Sequence, residues 1–208
     1  GLVGSEMCIR DRIWDNPADG GGRSLEVRNL HSRNDLGQNW TFSAVEGGTP
    51  GAPNSVRQVN VAPFIEDVSH HPAVPGPRDL VLVRARLSDD LSSPIRGVVH
   101  HRVSSLAPTP FASTVMRDDG TGGDEVARDN IYTAVLPAQP EGATVEFYLE
   151  AFDRIQSRTW PAAAHENGLH EANLLYQVDS EQPAGEAPFY RFILSAGELE
   201  EFLKIPFD

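Results

Sequence analysis

Apolar and polar positions alternate along much of this chain with a period of two, the spacing that puts successive side chains on opposite faces of a β-strand. The pattern predicts strands over Phe64 to Ser69, Leu80 to Leu87, Ile95 to Val103, Ala112 to Met116, Ile131 to Leu136 and Thr144 to Phe152. These runs are rich in β-branched and aromatic residues and are divided by Pro, Gly, Asp and Ser clusters, which predicts a sandwich. One set of alternating positions reads as core: Val81, Val83, Ala85 and Leu87; Gly97, Val99, His101 and Val103; Tyr132, Ala134 and Leu136; Val145, Phe147, Leu149 and Ala151. The opposite set, Arg84, Arg86, Arg96, Arg102, Glu146 and Glu150, reads as a solvated outer face rather than a binding patch. Two weaker strands are expected near Ser24 to Arg28 and Trp40 to Ser43. At the far end a strand over Phe189 to Leu194 feeds a helix: Ser195 and Glu198 form a capping box, and Leu199, Phe202 and Leu203 make an apolar stripe at helical spacing.

Composition leaves this picture intact. The 208 residues are 39% hydrophobic and 23% charged, in the range of folded chains, and suffice for one or two domains. No apolar stretch approaches the roughly 18 residues of a membrane span. A net charge of −13 without a Lys/Arg cluster repels phosphate backbones and argues against nucleic acid as a partner. Cys8 is the single cysteine, which excludes a disulfide framework. Thr49 to Pro63 lacks sustained periodicity and reads as an extended linker with few contacts.

Three segments carry resemblances. Trp14 to Asn54, with W-D-N-P-A-D-G-G-G-R-S-L-E-V, N-W-T-F-S-A and G-G-T-P-G-A-P-N, resembles the closing half of a bacterial lamin tail domain. The preceding Gly1 to Arg12 resembles a translated sequencing-adapter peptide and is set apart from the fold. V-M-R-D-D-G-T-G-G-D-E-V-A-R-D-N-I-Y-T-A-V-L-P-A, followed by G-A-T-V-E-F-Y-L-E-A-F-D, is similar to the second half of a fibronectin type III-like or immunoglobulin-like module of bacterial extracellular proteins. P-F-Y-R-F-I-L-S-A-G-E-L-E-E-F-L resembles the opening of a spore coat protein H-like (CotH) kinase domain. The expected division is 1–12 artefact, 13–54 partial lamin tail, 55–61 linker, 62–179 sandwich, and 180–208 linker and kinase opening.

The fold expected from all of this is all-β: an immunoglobulin/fibronectin-like sandwich preceded by a partial β module and followed by a short strand and helix. The resemblances imply a fragment of a longer secreted or cell-surface protein. In it this chain is a non-catalytic spacer or adhesion module, meeting a protein or polysaccharide surface. The ATP-dependent kinase activity of the parent would lie beyond Asp208. The alternative is a carbohydrate-binding accessory module, with Trp14, Trp40 and Trp160 as its stacking surface.

Candidate chemistry centres on Asp118, Asp119, Asp124 and Asp129, four carboxylates in a Gly-rich loop whose oxygens suit calcium. Their spacing is not that of an EF-hand, and Asp and Gly equally supply turn geometry. The histidines do not form a metal motif. His165 and His170 are five apart around a glycine, and the adjacent His100 and His101 point to opposite faces of a strand. Neither a Gly-x-Ser-x-Gly elbow nor a phosphate-binding G-x-x-x-x-G-K-S/T run is present.

Overall fold

The computed structural model describes residue 18 and residues 20–90, 94–162, 173–181 and 191–204. Among the described residues strands in antiparallel sheets dominate, with one short α-helix, so the chain is an all-β protein of sandwich type. Gly1 to Arg12, Trp14, Cys8, His165 and His170 lie outside the described residues. The chain forms two compact units. One draws on residues 1–64, 88–95 and 152–158, the other on 65–87, 96–151 and 159–208.

In the first unit, β1 (Leu25–Val27) and β2 (Trp40–Phe42) make an antiparallel ribbon, Leu25 opposite Phe42 and Val27 opposite Trp40. Strands this short bury little apolar surface, and polar side chains take over the cohesion. Asn39, fully buried at the end of a 3-10 turn, accepts from the Asn29 amide and donates to the carbonyls of Asn29 and Arg33. Glu26 is buried as well. It accepts from the Thr49 hydroxyl and from the amide and hydroxyl of Ser55, which ties the following loop to the ribbon. These hydrogen bonds, that from Thr49 foremost, hold its carboxyl below the usual range.

The expected linker turns out to be packed. Asn60, Val61 and Ala62 are buried; Asn60 donates to Asp153 at 2.9 Å and the Val61 amide to Asp90 at 3.1 Å. The Gln58 amide donates to the Arg28 carbonyl. Few contacts were expected because the segment has no periodicity, but irregular backbone can be buried where side-chain carboxylates and amides satisfy its polar groups. Arg158 donates to the carbonyls of Ala62 and Pro63 and sits over the Phe64 ring. Burial beside Arg28 lowers its guanidinium to about 10.

The second unit holds the sandwich. One sheet has the order β3 (Phe64–His71), β4 (Val81–Ser88), β7 (Ile131–Leu136). The other runs β10 (Leu174–Gln177), β8 (Thr144–Phe152), β5 (Arg96–Val103), β6 (Ala112–Val115), and β9 (Ser157–Trp160) also pairs with β8. Val81, Val83, Ala85, Leu87, Val99, Ala134, Leu136, Val145, Phe147, Leu149 and Ala151 are all buried, as their alternation predicts. Each large aliphatic or aromatic side chain among them contributes about 1.5–3 kcal/mol by leaving water. Gly97 leaves no room for a side chain: a Cβ there would lie 2.8 Å from Leu87 Cδ1 and 3.1 Å from Met116 Sδ. Two expected core positions do not hold. Val103, at the last position of β5, is exposed, and Tyr132 is only half-buried.

The helix α1 (Ala196–Phe202) begins at the predicted capping box, with Glu198 N–H donating to Ser195 Oγ and Ser195 N–H to Glu198 Oε2. The strand expected before it is not formed over Arg191 to Leu194, and Phe189 and Tyr190 lie outside the described residues. Arg191 instead pairs with Asp179 at 2.7 Å. Phe192, Leu199, Phe202 and Leu203 are exposed, and α1 has no buried residue.

Candidate functional site

The β6–β7 loop gathers most of the acidic residues singled out from the sequence. Arg117, just beyond β6, forms a bridge with Thr133 of β7, so the loop from Asp118 to Asn130 leaves and returns at neighbouring backbone positions. Its path needs left-handed backbone at Gly120, Gly122 and Gly123. At Gly123 a side chain is excluded twice, by φ of +93° and by a would-be Cβ contact of 2.9 Å with Val135 Cγ2.

Asp118, Asp124 and Asp129 come together, with one carboxylate oxygen of each within 4.8 Å of the others. Each also holds the backbone. Asp118 Oδ1 accepts from the Asp129 amide, Asp124 Oδ2 from Gly120, and Asp129 Oδ1 from Ile131. Asp119 is turned elsewhere: it accepts from the amide and hydroxyl of Thr121 and pairs with Arg117 at 3.0 Å. The Thr121 hydroxyl leads the interactions that lower its carboxyl. Three of the four predicted calcium ligands are thus neighbours, in a set whose oxygen chemistry suits a hard cation. The same three carboxylates are the acceptors that close the loop.

The outer face of the β8–β5–β6 layer differs from the solvated surface expected of it. Glu146 is buried, accepting from Arg102 Nε at 2.9 Å and from Asn173 at 2.7 Å, and Arg102 lies over the Phe111 ring at 4.1 Å. His100 stacks on Tyr148 at 4.6 Å and 16°, and Phe111 meets Tyr148 edge-on. The Phe111 ring, just before β6, covers the Arg102 stem beside Glu146. Burial, with Glu150 nearby, raises the Tyr148 hydroxyl. His100 also bridges two side chains: its Nδ1 lies 3.0 Å from Ser113 Oγ and its Nε2 3.1 Å from Glu150 Oε2. Arg84 and Arg86, on the other sheet, are partly exposed and pair with Glu125 and Asp67.

His101 is buried on the opposite face of β5, its Nε2 3.2 Å from Thr114 Oγ1, and burial lowers its imidazole. His70 sits in the same unit between Phe147 and Tyr176, 3.0 Å from the Pro72 carbonyl, and is lowered for the same reason. Tyr176, beside it, is pushed up to about 12 by burial. Trp40 is half-buried with its indole N–H donating to the Asn34 carbonyl, and Trp160 is the last residue of β9. Among the described residues no helix is long and apolar enough to cross a membrane. No family model matches the chain, and no curated protein matches it.

Proposed function

We propose that this chain is a spacer or adhesion module of a secreted or cell-surface protein that also carries a CotH-like kinase domain. One observation carries the reading: the core between the two sheets is closed and apolar, with Val83, Leu87, Val99, Leu136, Leu149 and Ala151 all at 0% exposure. A body of that kind is stiff, and it leaves loops and strand faces for contact with a protein or polysaccharide surface. The capped helix Ala196–Phe202, with its exposed Leu199 and Phe202, supports the resemblance of the last segment to the opening of a kinase domain.

Phosphoryl transfer needs a cradle for the phosphates, acidic metal ligands and a positioned base. Within Phe189 to Phe207, Lys204 is the sole lysine, and it pairs with Glu200 one helical turn away. The purified chain, incubated with labelled ATP and magnesium, is expected to transfer no phosphate to itself or to a generic acceptor. Incorporation above a heat-inactivated control would overturn the module reading.

A further inference from the structure

Ser113, His100 and Glu150 stand in line across three neighbouring strands of the five-stranded sheet. The β5–β6 register sets His100 directly opposite Ser113, and β8 on the other side of β5 supplies Glu150. Ser113 Oγ is 3.0 Å from His100 Nδ1, and His100 Nε2 is 3.1 Å from Glu150 Oε2. With the ring proton on Nε2, directed at the Glu150 carboxylate, the Nδ1 lone pair faces the serine hydroxyl. Tyr148, stacked under the imidazole, fixes its plane. Ser113 itself is exposed.

Backbone geometry adds a donor. The Met116 amide bonds to the Gly97 carbonyl, so by the alternation of an antiparallel ladder the amides of Ser113 and Val115 point away from β5. The strand β6 ends its sheet, which leaves those amides at an edge.

We propose that Ser113 is a base-activated nucleophile that accepts an acyl group from activated carboxylic esters, with His100 as its general base and Glu150 as the residue that orients the imidazole. Ser113 Oγ forms a bond to the ester carbonyl carbon while its proton passes to His100 Nδ1. In this step the Ser113 amide, at the sheet edge, is the backbone donor offered to the oxyanion. The bond from that carbon to the alcohol oxygen then breaks, the departing alkoxide or phenoxide takes the proton back from Nδ1, and acyl-Ser113 remains. This goes beyond the module reading, which requires no reactive group.

The test is peptide mass spectrometry on the intact chain after timed exposure to p-nitrophenyl acetate. Ser69 and Ser157, exposed serines on other strands, serve as internal references. Ser113 is expected to be acetylated at least about a hundredfold faster than either, the lower end of what a positioned base supplies. His100→Phe keeps a flat ring over Tyr148 but removes the base, and should bring Ser113 down to the reference rate. Glu150→Gln should lower the rate in part, with circular dichroism confirming that both variants fold. Equal acetylation of Ser113 and the reference serines in the unmodified chain would overturn the proposal, as would a rate that His100→Phe leaves unchanged.

Discussion

A carboxylate that accepts a backbone amide inside a turn is part of the turn, and Asp124 is the clearest case. It is buried and its Oδ2 is the acceptor for Gly120 N–H at 2.6 Å. Asp124→Ala strands that amide and is expected to cost about 1–3 kcal/mol in denaturant unfolding. Because the loop already closes through amide donors, melting curves with calcium and with a chelator should superimpose. A calcium-dependent rise of about 1.4 kcal/mol at ten times a dissociation constant would instead establish an ion at Asp118, Asp124 and Asp129. Two histidines give a pH dependence whose sign follows from their burial. His70 and His101 are both lowered in the folded chain, so the unfolded chain binds more protons below the ordinary histidine value of about 6.5. Their contribution is therefore fully present above that value and lost as pH falls through the window beneath it. The melting temperature should drop between pH 7.5 and 5.5, and His101→Gln should flatten the slope; an unchanged slope would remove His101 from the account. The acidic loop was legible in the sequence because its members are near neighbours along the chain. The contact of His100 with Ser113 and Glu150 was not, because it depends on strand register and strand order, which a single sequence leaves open.

Strands with a strong alternation were read nearly to the residue: the predicted spans Ile131 to Leu136 and Thr144 to Phe152 are β7 and β8 as found. The strands β9 and β10, S-R-T-W and L-L-Y-Q, were missed because neither alternates apolar with polar positions. Both pair with β8, so what defines them is hydrogen bonding to a strand already in place, which local pattern does not encode. The helix α1 shows the converse, for its capping box is purely local chemistry and was read correctly in a segment that buries nothing. Ser195→Ala should therefore cost the helix about 1 kcal/mol, seen as faster amide exchange from Glu198 to Leu203. The melting temperature of the whole chain should not move. A concerted drop would show that α1 is coupled to the cohesion of the sandwich.

The two units are held by different physics. In one, strands of eight and nine residues close a core of valine, leucine and phenylalanine, and cohesion comes from apolar burial distributed over many side chains. In the other, three-residue strands leave the work to a few buried polar groups, Asn39 and Glu26 above all, each of which counts only while its partners stay in register. A two-stranded ribbon is marginal in water unless something else supports it, so the polar network is the part whose loss opens the ribbon. Native-state hydrogen exchange should accordingly find the amides of Leu25–Val27 and Trp40–Phe42 opening at lower free energy than those of Val81–Ser88 and Thr144–Phe152. Asn39→Ala, which leaves the Asn29 amide without its acceptor, should accelerate exchange in the ribbon and leave the sandwich strands as they were. Equal protection in both units, or an Asn39→Ala effect that spreads evenly into β4 and β8, would mean that the chain unfolds as one cooperative body in spite of its two kinds of core.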